Sequence, residues 1–243
     1  MTAAFWVIMI LATTLGETAG DTVSLSMKLG YLAATGMFAA ILVLLVWRQM
    51  ASRRYRPFLY WATIIASTTA GTTMADFATR SLVIGYAGGS LIMLGCVAGA
   101  LLSWHRTLGS VSVATIREPR AELFYWLTIT LSQALGTALG DWTADTGRLG
   151  YGGAAIVFGA MLAVIAAFYL WRSIDRVLLF WSAFILIRPL GAAVGDLLDQ
   201  PLDHGGLAFG PSSASGLLVG VIVLLVALWP LYPSRTRTTV TAS

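Results

Sequence analysis

Residues 5–21 read FWVIMILATTLGETAGD, an apolar run that ends in two carboxylates four positions apart. The same arrangement occurs four times along the chain. Counted from a Trp that follows another aromatic residue, a Gly stands ten positions later and an Asp stands fifteen positions later. The four aspartates are Asp21, Asp76, Asp141 and Asp196. Because one spacing recurs four times without a gap, the sequence indicates a fourfold internal repeat.

The composition is typical of a polytopic membrane protein. Of the 243 residues, 58% are hydrophobic and 11% are charged, and the mean hydropathy is +0.81. Such a chain has little mass outside the bilayer. The net charge of +4 comes from short loop clusters, so we expect no nucleic-acid partner. The single Cys96 excludes an intramolecular disulfide and a Cys-based metal cluster.

Eight apolar segments are long enough to cross a hydrocarbon core of about 30 Å. They lie at residues 4–25, 28–47, 58–79, 84–104, 122–143, 151–171, 177–199 and 211–232. We therefore predict an all-α protein with eight transmembrane helices, in which every repeat is one helical hairpin. The hairpins have the same orientation, so they are parallel and form a pseudo-fourfold bundle around the membrane normal. The first segment lacks a charged start and a cleavage site, so we expect a retained helix.

We expect residues 1–243 to form a single transmembrane domain. The predicted repeats are 1–50, 51–110, 118–174 and 175–232, followed by a polar cytoplasmic tail at 233–243. Most Arg residues fall on one side of the predicted membrane, and the other side has only Lys28, Arg80 and Arg148. The positive-inside rule then places both termini in the cytoplasm. Eight of the nine Trp residues fall on that same side, which is typical of an interfacial aromatic belt.

The polar residues of the odd-numbered segments share one helix face, because positions i, i+4 and i+8 lie on one side of a helix. Counting back from each aspartate gives three layers. The first layer contains Thr13, Thr68, Gln133 and Arg188. The second layer contains Glu17, Thr72, Thr137 and Ala192, and the third contains the four aspartates. At about 1.5 Å per residue, the third layer lies about 22 Å beyond an interfacial Trp. The pattern predicts a hydrophilic path or a buried polar core.

Small residues accompany the acids and predict close packing of the odd-numbered helices. The small-xxx-small pairs are Gly16 and Gly20, Gly71 and Ala75, Gly136 and Gly140, and Gly191 and Gly195. Such pairs allow helix backbones to approach one another. A lipid-facing carboxylate at this depth would cost about 2.5–3.5 kcal/mol, so the acids should face the interior or a water-filled cavity.

Two ion pairs are expected between neighbouring repeats. Only the first repeat has a second-layer acid, Glu17, and only the fourth has a first-layer cation, Arg188. In a closed ring these repeats are neighbours, so we predict a Glu17–Arg188 pair. One turn beyond the third layer, Arg80 and Asp145 suggest a second and weaker pair.

The converging side chains carry carboxylate, hydroxyl and carboxamide oxygens, which suit hard cations such as Mg²⁺, Ca²⁺ or Mn²⁺, or protons. We expect the candidate metal ligands to be Glu17, Asp21, Asp76, Asp141, Asp145 and Asp196. The remaining first- and second-layer side chains would line a path or stabilise a polar core. His204, beside Asp203 and Asp199, is a further candidate for an outer site.

The repeat unit resembles a bacterial family called a repeat of unknown function, whose members are predicted membrane-anchored proteins. The resemblance lies in Trp…Gly-x-x-x-Gly/Ala-Asp and in the motifs Leu29-Gly30-Tyr31 and Leu149-Gly150-Tyr151. Repeat two has Ile84-Gly85-Tyr86, and repeat four departs with His204-Gly205-Gly206. The resemblance implies a multi-pass protein of the bacterial inner membrane and implies no activity. Separately, the segment from Glu17 to Thr22 is similar to a Glu-x-Gly-Asp motif of manganese and calcium exchangers, with one extra residue before Gly20.

Several functions are compatible with these patterns. The first is transport of a cation, foremost a divalent metal such as Mn²⁺ or Mg²⁺, with protons as a candidate coupling ion. The second is transport of a small organic cation or solute, and the third is a non-transporting assembly or sensor protein with a structural polar core. We do not expect an enzyme, because neither a Ser-His-Asp grouping nor a His-Glu-x-x-His motif is present in the sequence. Four repeats could close a ring within one chain, so oligomerisation is not required.

Overall fold

The computed structural model describes residues 3–52, 56–82, 84–111, 118–170, 174–202 and 205–228. In these residues all regular structure is helical. The eight α-helices are α1 (Ala3–Asp21), α2 (Tyr31–Ala51), α3 (Pro57–Asp76), α4 (Gly85–Leu108), α5 (Pro119–Asp141), α6 (Gly150–Leu170), α7 (Arg176–Asp199) and α8 (Pro211–Leu228). The all-α prediction is therefore confirmed, with two helices in each repeat.

In each repeat the chain reverses its direction after the repeated aspartate of the odd-numbered helix. Five-residue π-helical turns follow α1, α3 and α5, at Thr22–Ser26, Phe77–Ser81 and Trp142–Thr146. Each even-numbered helix then begins beside a Gly with positive φ, namely Gly30, Gly85, Gly150 and Gly210. L side chains rarely adopt this backbone conformation, which explains the Gly of the Leu-Gly-Tyr motif. In repeat four Gly210 takes this position, and it follows its aspartate by 14 residues, whereas Gly30 follows Asp21 by nine.

The odd-numbered helices α1, α3, α5 and α7 form a closed ring. Each of them packs against the next, and α7 packs against α1. The even-numbered helices lie outside this ring. The main partner of α2 is α3, that of α4 is α5, that of α6 is α7, and that of α8 is α1. The pseudo-fourfold arrangement expected from the repeats is thus present.

The expectation that each repeat packs as one helical hairpin is wrong. Each even-numbered helix packs mainly against the odd-numbered helix of the following repeat, and its contacts with the odd-numbered helix of its own repeat are few. The physical reason lies in the connection, which includes a π-helical turn in repeats one to three and ends at a left-handed Gly in all four repeats. It carries the chain sideways to the neighbouring odd-numbered helix. Five helices, α2, α4, α6, α7 and α8, are long and apolar enough to span a membrane.

At the end of the ring opposite the acids, four of the described Trp residues are packed inside the protein, whereas Trp171 and Trp229 lie outside the described residues. Those of the core are Trp61, Trp104, Trp126 and Trp181. Ring centroids of adjacent repeats lie 5.6–5.9 Å apart in the pairs Phe5–Trp61, Tyr60–Trp126 and Trp6–Phe180. We call these residues the aromatic cluster. The prediction of an interfacial belt is therefore wrong for these four Trp residues. Ring closure buries Trp61, Trp126 and Trp181, and packing of α4 against Phe124 and Trp181 buries Trp104, whereas Trp47 remains exposed.

Candidate functional site

The repeated Gly residues bring the polar faces of the odd-numbered helices together. The Gly ten positions after each Trp packs against the first-layer residue of the next repeat. The pairs are Gly16–Thr68, Gly71–Gln133, Gly136–Arg188 and Gly191–Thr13. A Cβ atom at any of these positions would overlap its neighbour. The same Gly contact occurs between all four neighbouring pairs of odd-numbered helices. These contacts fix the helices at equal heights, so the polar side chains of each layer lie at the same level.

The second small residue of each pair follows the same rule one turn later. A Cβ on Gly20 would lie 3.0 Å from Thr72, one on Gly140 would lie 3.2 Å from Ala192, and one on Gly195 would lie 2.7 Å from Glu17. These partners are second-layer residues of the next repeat around the ring. The close packing predicted from the small-xxx-small pairs is therefore present.

Glu17 lies at the centre of the second layer and is buried, with 3% of its surface exposed. Its Oε2 atom accepts hydrogen bonds from the hydroxyls of Thr72 and Thr137, each at 3.0 Å. The two hydroxyl oxygens are themselves 3.2 Å apart. Three repeats thus contribute to one carboxylate site, as their shared helix face predicted.

The third layer contains an ion-pair network around Arg80. Its Nε lies 3.0 Å from Oδ1 of Asp76, and its Nη2 donates to Oδ2 of Asp141 at 2.9 Å. The predicted pairing of Arg80 with Asp145 is wrong, because the guanidinium points back toward the ring, where it bridges two buried carboxylates. Asp145 lies exposed on the π-helical turn, outside the ring.

On the other side of the third layer, three buried carboxylates converge. Oxygen atoms of Asp21, Asp196 and Asp199 all lie within 4.8 Å of one another. Neither oxygen of Asp199 has a hydrogen-bond partner among the described residues, and the same holds for Oδ2 of Asp196. Gln200 donates to Oδ2 of Asp21 at 3.4 Å. We call Asp21, Asp196 and Asp199 the acidic triad.

Asp199 was absent from the metal ligands expected from the sequence. The other repeats have Ser24, Thr79 and Ala144 at the equivalent position, so the repeat pattern conceals this acid. The available signal was its spacing, because residues i and i+3 lie on the same side of a helix and Asp199 follows Asp196 by three. The further candidates Asp203 and His204 lie outside the described residues.

The first layer contains a buried cation instead of the predicted ion pair. Arg188 has 2% of its surface exposed, and its guanidinium lies 4.1 Å from the ring centroid of Phe184. None of its three side-chain nitrogens has a hydrogen-bond acceptor among the described residues. The Glu17–Arg188 prediction is therefore wrong. Arg188 lies one layer closer to the aromatic cluster, while Glu17 is bound by hydroxyls of its own layer.

The polar interior of the ring has an excess of acidic groups. Its six buried acids are Glu17, Asp21, Asp76, Asp141, Asp196 and Asp199. Among the described residues, two guanidinium groups face them, Arg80 and Arg188. Full ionisation of these groups would leave an excess of four negative charges in the interior. Uncompensated buried charge is costly, so bound cations or protons would stabilise this interior.

A comparison with known protein families finds four consecutive matches, in agreement with the four structural repeats. The family described as Repeat of Unknown Function (DUF347) matches four times, at residues 4–55, 59–110, 124–175 and 179–233. The chain belongs to this family. Each DUF347 repeat of the chain contains one odd-numbered and one even-numbered helix. No curated protein and no solved structure matches the chain.

Proposed function

We propose that this DUF347 protein binds a cation at the acidic triad and transports it across a membrane. The foremost candidates are divalent ions with a preference for oxygen ligands, such as Mn²⁺, Mg²⁺ or Ca²⁺. The observation that carries this proposal is the convergence of three buried carboxylates, in which three of the six oxygens have no donor among the described residues. A bound cation would supply the missing positive charge, and protons would do so in its absence.

The layers suggest a route for the ion. The acidic triad lies at one end of the ring, Glu17 lies about one turn deeper, and the aromatic cluster closes the other end. An ion that enters at the acids would therefore pass Glu17 and would require the aromatic cluster to separate. This order favours a carrier with alternating access over an open channel, since buried aromatic rings leave no aqueous passage.

The proposal includes eight membrane crossings, although α1, α3 and α5 are less apolar than the other helices. The even-numbered helices would shield these three from lipid, because they cover the outside of the ring. The Arg-rich end would face the cytoplasm of a bacterial inner membrane, with both termini on that side. Fusing a reporter enzyme to the C-terminus would test this orientation, and a periplasmic signal would contradict it.

Metal-dependent thermal stabilisation tests the binding step. A ligand that binds only the folded state stabilises it by about 2.7 kcal/mol at a hundredfold excess over its dissociation constant. We expect one or more divalent cations to raise the melting temperature of the purified protein, and we expect Asp199→Asn to abolish that shift. Asp145→Asn is the matched control, because it removes an exposed acid at the same end of the bundle. An equal shift in both variants would refute binding at the triad.

Flux into liposomes tests the transport step. The wild type should carry the stabilising cation into vesicles, whereas the folded Asp199→Asn variant should not. Binding without flux would favour the sensor or assembly hypothesis. Stabilisation by guanidinium-like cations alone would favour transport of an organic cation, for which the same carboxylates would provide the charge match.

A further inference from the structure

The first layer contains two buried side chains whose hydrogen-bond donors lack acceptors among the described residues. All three guanidinium nitrogens of Arg188 and the side-chain nitrogen of Gln133 have no partner among the described residues. Each of the two residues has 2% of its surface exposed. An arginine remains charged in essentially every protein environment, so Arg188 cannot escape the cost by losing its proton. Buried donors of this kind are nearly always satisfied, which indicates that an acceptor belongs here.

Packing fixes both side chains at the same level of the ring. The Cβ of Arg188 fits against Gly136 of α5, and the Cβ of Gln133 fits against Gly71 of α3. The two residues are equivalent positions of adjacent repeats, so they project from neighbouring helices within one layer. The resulting environment combines a cation with an amide donor, which is the chemistry that recognises an anion.

Glu17, the carboxylate that the sequence pattern suggested as a partner of Arg188, belongs to the second layer and has its own donors. Oε2 of Glu17 accepts from Thr72 and Thr137, one helical turn nearer the acidic end. On the opposite side, the hydroxyls of Tyr60 and Tyr125 hydrogen-bond to each other at 2.9 Å, and Phe184 covers a face of the guanidinium. Arg188 therefore lies between the acidic layers and the aromatic cluster without a protein counter-ion among the described residues.

We propose that the Arg188–Gln133 pair binds a small inorganic anion of halide type. Phe184 against the guanidinium and Ile129, one turn before Gln133 on α5, are both buried, so the site is enclosed and suits a monatomic ion better than an organic acid. The anion would neutralise the positive charge that a transported cation must pass. The inference does not depend on the cation proposal, because it concerns another layer and another ligand.

Anion-dependent thermal stability tests this site in the absence of divalent metal. The purified protein would be melted in EDTA at constant ionic strength while gluconate is replaced by fluoride, chloride, bromide or nitrate. We expect one or more of the halides to raise the melting temperature in a saturable manner. Equal melting in gluconate and in all halides would overturn the proposal.

Three variants make the test specific. Arg188→Gln should fold in gluconate and lose the halide response, and Gln133→Leu should weaken the apparent halide affinity about tenfold by removing one donor to a charged ligand. Arg120→Gln, an exposed position on α5, should keep the full response. A halide response that persists in Arg188→Gln, or that is lost equally in Arg120→Gln, would refute the site. If Arg188→Gln fails to fold, equilibrium binding of radioactive chloride to wild type and Gln133→Leu decides the question, and equal binding refutes it.

Discussion

Gly191 of the last repeat packs against Thr13 of the first, and this contact closes the ring of odd-numbered helices. The contact is the cyclic continuation of the three Gly contacts that join the repeats in chain order. The fourfold repeat in the sequence therefore corresponds to a fourfold repeat in packing, because each Gly contacts one side chain of the next repeat.

The Gly contacts predict a specific pattern of destabilisation. Gly136→Ala should reduce the free energy of unfolding by about 1–3 kcal/mol, because the added Cβ overlaps Arg188 and the helices must separate. Denaturant titration in detergent measures this change.

Gly36→Ala provides the control for that experiment. Gly36 lies on the exposed face of α2, and a Cβ there meets no atom within 4 Å. The variant should be neutral or slightly more stable, since Ala is the better helix former. Similar losses for both variants would mean that helix propensity, and not ring packing, explains the repeated Gly residues.

The hydroxyl donors of Glu17 should be energetically coupled to it. Thr72→Val and Thr137→Val should each destabilise the protein by about 1–3 kcal/mol, because each leaves a buried carboxylate with one donor fewer. In a Glu17→Gln background the same changes should cost less. A double-mutant cycle measures the coupling, and additive effects would contradict the hydrogen-bonded second layer.

Arg80 should be coupled to Asp141 and not to Asp145. Arg80→Gln should destabilise the protein by about 1–3 kcal/mol, a modest loss because the Arg80 side chain is 34% exposed. Asp141→Asn should recover part of that stability, since it removes the acid left without a partner. Asp145→Asn should recover none. Recovery by Asp145→Asn alone would restore the pairing expected from the sequence.

The packing of α8 on α1 can be tested by a disulfide. The hydroxyl of Ser215 donates to that of Thr18 at 2.8 Å, so the two side chains lie within reach of a bridge. Thr18→Cys with Ser215→Cys, in a Cys96→Ser background, should form an intramolecular disulfide. A protease site inserted between residues 112 and 117 would then give fragments that stay joined until reduced.

The matching negative control pairs Thr18→Cys with Ser213→Cys, which lies exposed on another face of α8. That pair should not form a disulfide. A bridge in the control, or none in the Ser215 pair, would contradict the observed packing of α8.

Spacing alone predicted the ring and its layers, because Gly and Asp recur at fixed distances from Trp and a helix converts distance along the chain into depth. The partners of the charged side chains could not be predicted in this way. Arg80 follows Asp76 by four residues, a spacing that favours their contact, but its contact with Asp141 depends on how α3 and α5 pack in the ring. Asp199 was missed because the other repeats lack an acid at that position.

The sequence also could not predict which odd-numbered helix each even-numbered helix packs against. The apolar surface of α2 or α8 is suitable for packing against any odd-numbered helix, and hydropathy does not specify which one. The connection decides, through a turn whose left-handed Gly was visible in the sequence but whose direction was not. The burial of Trp126 and Trp181 follows from ring closure in the same way, since a position near the end of a span is compatible with lipid or with protein.

Each even-numbered helix packs on the following repeat, and α8 of the last repeat packs on α1 of the first. The four repeats therefore have equivalent neighbours, as in a closed cyclic assembly. Among the described residues, α8 is the helix that mainly covers the outer side of α1, so most of that side stays uncovered until the last helix has been synthesised and inserted. A single repeat could bury its faces only against other copies, and four separate copies could exchange outer helices as the four repeats do here. Joining the ends and cutting the chain at another connection should therefore preserve every interface.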